Sequence, residues 1–165
     1  MTRPTGGSVA RSATMAGMAA RVLVVEDDPA SAEMLAIALR QAGFETAVVG
    51  EGTKAMPALR EMKPDVVLLD LMLPGMSGIE ATRRILADHL DTAVLVLTMF
   101  DEDDSIAAAL RAGARGYLLK GASGEQIRCA IHAAPTGRSS SGRPWPRGCS
   151  PASPPPLPRR RSSRN

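Results

Sequence analysis

The sequence predicts an α/β fold, a doubly wound five-stranded parallel sheet with helices on both faces, and three observations carry that prediction. Short apolar runs alternate with segments whose apolar residues recur at helical spacing, the order expected of parallel strands joined by crossover helices. The runs are apolar at consecutive positions rather than at every second one, as strands covered on both faces require. Polar residues of complementary chemistry stand where the runs end: Glu26-Asp27-Asp28, Asp70, Thr98 and Lys120. A doubly wound sheet gathers such positions at the carboxyl ends of its strands. Acids, a hydroxyl and an ammonium meeting there would bind a divalent cation and a phosphoryl group.

The elements follow in order. Val22–Val25 is the first strand, and a helix opens near Pro29, a favoured first-turn residue. Its apolar positions Met34, Leu35, Ala38 and Leu39 fit helical spacing, and Gly43 suits its C-terminal cap. Phe44–Val49 is the second strand. The next helix starts near Thr53, with Pro57 in or just after its first turn, where a missing N–H costs least. Lys63-Pro64 ends it. Asp65–Leu69 is the third strand, Ser77–Asp88 a helix and Ala93–Leu97 the fourth strand. An alanine-rich helix covers Glu102–Ala112 and stops at Gly113; Arg115–Leu119 is the fifth strand. Ser123 and Gln126 stand at capping-box spacing for a last helix, with Ile127, Ala130, Ile131 and Ala134 inward.

The 165 residues, 44% of them hydrophobic, suit one well-packed domain. Three parts are expected: a flexible leader over 1–20, a folded domain over 21–134 and a disordered tail over 135–165. Met15 or Met18 could equally be the start. The tail holds eight of the thirteen prolines, seven serines and seven arginines, too little apolar surface to offset its conformational entropy. The overall charge of +3 is misleading. The ends supply ten arginines and no acid, which leaves ten bases against 17 acids in residues 22–134, a formal charge of −7. A basic nucleic-acid face on the folded part is therefore not expected. Cys129 falls in a helix and Cys149 in the tail, so a disulfide has little support and a reducing cytoplasm fits. No apolar stretch approaches the ~20 residues that cross a bilayer, and residues 1–20 make a poor secretory signal.

The groupings Val-Val-Glu-Asp-Asp-Pro, Val-Val-Leu-Leu-Asp-Leu-Met-Leu-Pro-Gly-Met-Ser-Gly, Leu-Thr-Met-Phe-Asp and Gly-Tyr-Leu-Leu-Lys occur in that order. Together they resemble the receiver domain of two-component response regulators, over residues 21–134. The wording around Thr98 and Lys120 is most similar to the subclass that carries a LuxR-type helix-turn-helix, here without that output domain. The resemblance implies the flavodoxin-like receiver fold with strand order 2-1-3-4-5. It implies Asp70 as phosphoacceptor, and Glu26, Asp27, Asp70 and the main-chain carbonyl of Met72 as ligands of Mg²⁺. Like charges ~4 Å apart repel by roughly 4 kcal/mol at an effective dielectric of 20, which a cation content with few carboxylates and several waters offsets. Thr98 and Lys120 would hold the phosphoryl oxygens, and Tyr117 would turn inward on activation. A sensor histidine kinase is the implied donor, and a homodimer through the face of the fourth and fifth helices is expected. Gly121 follows the lysine where the family often has proline.

Other residues have plainer readings. Asp28 is a helix N-terminal acid, Asp101 to Asp104 a solvated helix start, and His89 and His132 exposed helix histidines. Met34, Met56, Met62, Met72 and Met76 are packing or loop residues. A flavin or nucleotide binder would need a Ser/Thr/Gly-rich loop where Glu26-Asp27-Asp28 stands. An aspartyl-phosphate phosphatase would need a second acid at Met72, so the domain is not expected to be an enzyme beyond its own phosphoryl transfer. The arginine-rich tail would give only non-specific, salt-sensitive DNA contacts. One account of that tail is a frameshift near Ala134: a permitted set of codons for 135–151 reads, two bases later, as Asp-Gly-Glu-Val-Val-Phe-Gly-Pro-Ala-Val, a linker-like sequence. On that account the alternative to a working receiver is a non-functional remnant of a LuxR-type transcriptional regulator.

Overall fold

Each apolar run becomes a strand, and the helices fall between them, in a computed structural model that describes residues 19–99 and 104–134. The order is β1 (Arg21–Val25), α1 (Pro29–Gln41), β2 (Glu45–Val49), α2 (Gly52–Met62), β3 (Val66–Asp70), α3 (Gly78–Asp88), β4 (Ala93–Thr98), α4 (Asp104–Arg111), β5 (Gly116–Leu119) and α5 (Gly124–Ala133). The expectations for the leader, for the tail and for Asp101 to Asp103 lie outside the described residues.

The five strands form one parallel sheet in the order β2-β1-β3-β4-β5. Alternate residues of each strand face opposite layers. Leu23, Val25, Val67, Leu69, Val94 and Val96 pack on Ala55, Leu59, Ala81, Ile85, Ile106 and Ala109 of α2, α3 and α4. Val22, Val24, Val66, Leu68, Leu95 and Leu97 pack on Leu39 of α1 and Ile127 and Ile131 of α5. Fully burying one Val or Leu side chain stabilises by about 1.5–3 kcal/mol, so the three central strands dominate the fold's stability. β2 and β5 are edges and remain partly exposed.

Helix starts are built largely as the sequence indicates. Asp28 caps α1 by accepting from the Ser31 N–H at 2.9 Å, ahead of Pro29. Ser77 caps α3 from just outside it, and Ser123 and Gln126 form a complete capping box on α5. Pro57 differs from expectation, lying in the interior of α2. The bond to the carbonyl of residue 53 is lost there, a defect costing about 3 kcal/mol in an isolated helix. Burial of Ala55 and Leu59 on either side of it holds the helix together. Lys63, in the left-handed region at φ 49°, ends α2 before Pro64. Asp70 and Thr98 are the last residues of their strands, paired with Leu97 and Leu119, rather than the first residues beyond.

Two side chains depart from their sequence reading. Cys129 is disulfide-bonded and not a free thiol; its partner lies outside the described residues. His89 is half-buried at the end of α3, with Nε2 enclosed and making no hydrogen bond. His132 is exposed on α5, as expected, with its ring 5.5 Å from that of Phe44. No helix among the described residues is long and apolar enough to cross a membrane.

Candidate metal and phosphoryl site

The polar strand ends converge because β1, β3, β4 and β5 are parallel and stop at the same edge of the sheet. Glu26 follows β1 directly, and its N–H extends the ladder to the Val49 carbonyl at 3.1 Å. That backbone register turns its carboxylate into the interior, where the residue is 1% exposed. Oε1 accepts from the Asp28 N–H at 3.1 Å and from Lys120 Nζ at 3.1 Å. Asp70, also 1% exposed, accepts from the Met72 N–H on Oδ1 at 2.9 Å and from Lys120 Nζ on Oδ2 at 2.8 Å. Asp27 is exposed beside them.

Carboxylate oxygens of Glu26, Asp27 and Asp70 lie within 4.8 Å of one another, the one such acidic cluster among the described residues. Two of the three, Glu26 and Asp70, share a single ammonium. Burial pushes the Glu26 carboxyl above its ordinary value, against the lowering effect of the Lys120 and Asp28 hydrogen bonds, and the Asp70 charge adds to the rise. Burial alone would lower the Lys120 ammonium, but its hydrogen bonds to Asp70 and Glu26 carry it above its ordinary value. Lys120 does not satisfy the whole pair. Nζ sits between the two Glu26 oxygens, 2.9 Å from Oε2 as well as 3.1 Å from Oε1, so one ammonium has to serve both carboxylates.

The all-oxygen donor set, three clustered carboxylates with one ammonium between two of them, fits a hard divalent cation such as Mg²⁺, which takes a few carboxylates and keeps several waters. Glu26, Asp27 and Asp70 would hold it, and it would supply charge neutralisation at the carboxylates. Met72 reaches the site through its main chain, while its side chain points to solvent, 78% exposed. Thr98 is buried at the end of β4, and its carbonyl accepts the Lys120 N–H at 2.7 Å. Tyr117 sits opposite Val96 and packs, partly buried, on the layer containing α4. The structure thus brings Glu26, Asp27, Asp70, Thr98 and Lys120 to one edge and sets Tyr117 beneath it. Asp28 is turned away as the cap of α1.

The sequence reading assigned no role to Gly78. It is the first residue of α3, and a Cβ there would lie 2.6 Å from both the Asp70 carbonyl oxygen and Leu71 Cα. The available signal was a glycine immediately after a good N-cap serine, at a position that needs no unusual φ.

Residues 22–132 match the response regulator receiver domain family. The chain is 48% identical over 103 residues to the DNA-binding response regulator MtrA of Mycolicibacterium smegmatis, covering 62% of this chain and 45% of that protein. The chain spans about half the length of the curated relatives it matches. Among solved structures, the signal receiver domain of the response regulator NarL from Mycobacterium tuberculosis superposes with a TM-score of 0.66 at 32% identity, covering 73% of this chain and 98% of that one. The receiver domain of a Pseudomonas aeruginosa sensor histidine kinase, with a magnesium ion coordinated in its active-site cleft, superposes at 0.64 with 26% identity, covering 70% and 96%. With the strand order, the acidic edge and these likenesses in agreement, the chain belongs to the response regulator receiver domain family, a signalling module of two-component phosphorelays.

Proposed function

We propose that this receiver accepts a phosphoryl group on Asp70 from a sensor histidine kinase in the cytoplasm, with Mg²⁺ held by Glu26, Asp27, Asp70 and the Met72 carbonyl. The observation that carries the reading is the Asp70 carboxylate, enclosed between two further acids and 2.8 Å from the Lys120 ammonium. The magnesium in the cleft of the Pseudomonas receiver supports the choice of ion. In the transfer, an Asp70 oxygen forms the new bond to phosphorus while the bond to the donor's leaving group breaks, and the leaving group takes the bonding pair. Lys120 then pairs with the phosphoryl charge and Thr98 donates its hydroxyl to a phosphoryl oxygen. Movement of those two residues toward the phosphoryl group would give Tyr117 room to turn inward, which is the switch. The domain spans 21–134 and carries out no chemistry beyond its own phosphoryl transfer.

The relatives' names point to transcriptional output, and the Thr-Met-Phe-Asp and Tyr-Leu-Leu-Lys wording supports a LuxR-type lineage. Residues 21–134 act as a signal input, with a self-association face on α4 and α5 and no sequence-specific DNA contact of their own. Incubation with acetyl phosphate and Mg²⁺, followed by intact-mass measurement, tests the acceptor. One acid- and base-labile phosphate is expected on the native chain and none on Asp70→Asn. A phosphate that persists in Asp70→Asn overturns the assignment.

A further inference from the structure

We infer that Gly78 is a positioning residue for the acceptor: the bare start of α3 is the stop against which the Asp70–Leu71 peptide is set. This rests on the reading of Asp70 as phosphoacceptor. The chain leaves the sheet after Asp70, makes a loop and returns at Gly78, whose N–H donates to the Leu71 carbonyl at 3.1 Å. A Cβ at 78 would meet the Asp70 carbonyl oxygen and Leu71 Cα at 2.6 Å each, and the Asp70 carbonyl carbon at 3.2 Å. Carbon atoms in contact normally sit about 3.5–4.0 Å apart, so a side chain here requires a shift on the order of an ångström.

Nothing nearby can absorb that shift cheaply, because every one of these contacts is backbone. On the sheet side, Asp70 is in register with Leu97, and the Leu71 N–H donates to the Leu97 carbonyl at 3.2 Å. On the helix side, the Ser77 side chain accepts from the Glu80 N–H at 3.2 Å. The buried Thr82 hydroxyl donates to the Gly78 carbonyl itself at 2.7 Å. The helix start and β4 form a vice with the acceptor's peptide between them. Gly78 is therefore glycine for proximity, whereas Gly113, at φ +111°, meets only the Leu86 side-chain tip at 2.6 Å and is glycine for its backbone angle. Gly113 lies in the turn before β5, at the opposite end of the sheet.

Misplacing a reacting group by 1 Å costs about 10²-fold in rate. The test follows phosphorylation by acetyl phosphate with Mg²⁺ on the full chain, well below each variant's melting temperature, and separates the maximal rate from half-saturation by donor. Gly78→Ala is expected to lose about ten-fold or more in maximal rate, with half-saturation nearly unchanged. Gly113→Ala is expected to melt earlier while keeping the native maximal rate, which separates positioning from stability. Thr82→Val, which removes the hydroxyl bond to the Gly78 carbonyl within the first turn of α3 but keeps the side-chain shape, is expected to show a smaller loss in the same direction. It decides the matter if Gly78→Ala does not fold. Native maximal rates in folded Gly78→Ala, or in Thr82→Val where Gly78→Ala does not fold, overturn the inference. A native chain that takes no phosphate on Asp70 overturns the functional reading instead.

Discussion

The two ends of the sheet are both polar, and they solve the problem of polarity in opposite ways. At the end where the strands start, polar groups pair one to one, apart from the enclosed His89 Nε2, which has no hydrogen-bond partner. The Arg21 N–H donates to Asp65 Oδ2 at 2.8 Å, its guanidinium to the Met62 carbonyl at 2.9 Å, and the Thr92 hydroxyl to the Pro64 carbonyl at 3.0 Å. At the end where the strands finish, Glu26 and Asp70 share one ammonium while the exposed Asp27 lies beside them, so negative charge is in excess. Each end holds one enclosed unsatisfied atom, but only the second gathers like charges, whose burial costs free energy, so it is chiefly there that stability is given up. Such a sacrifice is expected where a ligand supplies what the protein lacks.

The largest expected effect breaks this comparison at Lys120. Without magnesium, Lys120→Ala leaves two buried acids uncompensated and is expected to destabilise by about 3–5 kcal/mol, measured by urea unfolding. In the same variant Mg²⁺ affinity by calorimetry is expected to hold or rise, because a repelling ammonium is gone. Clearly weaker binding would contradict the role given to Lys120. Next in size is the ligand itself: Mg²⁺ at about 100 times its dissociation constant should add about 2.7 kcal/mol to native stability, and that gain should vanish in the double variant Glu26→Gln, Asp70→Asn. A gain that survives both substitutions would place the ion elsewhere. The smallest effects sharpen the comparison from the other end. Thr92→Val is expected to cost about 1–3 kcal/mol by stranding the Pro64 carbonyl, and Ser123→Ala about 1 kcal/mol by removing a cap. Both should leave acetyl phosphate labelling of the chain at its native rate; slower labelling would show that the two ends are coupled.

What could be read from the sequence tracks how local the cause is. The central strands announce themselves because β1, β3 and β4 are buried on both faces, and runs such as Val66–Leu69 contain no polar position. The capping box of Ser123 and Gln126 and the cap at Asp28 are likewise local. Pro57 was misplaced because its cost is offset by the packing of Ala55 and Leu59 against strands distant in sequence. The site residues could be proposed because each ends an apolar run, but the sharing of Lys120 between Glu26 and Asp70 spans 94 and 50 residues of chain and follows only from the strand order. Gly78 was illegible for a related reason, since its constraint is an approach to the backbone of Asp70 rather than a turn of its own.

The central claim is that the carboxyl end of this sheet is a charge-unbalanced cation site and the amino end is not. Calorimetric titration of the full chain with Mg²⁺, beside Asp65→Asn and Glu26→Gln, tests it most directly. The account predicts one saturable ion per native chain, an unchanged isotherm in Asp65→Asn and clearly weaker binding in Glu26→Gln. No saturable binding to the native chain, or binding weakened by Asp65→Asn and not by Glu26→Gln, would contradict it.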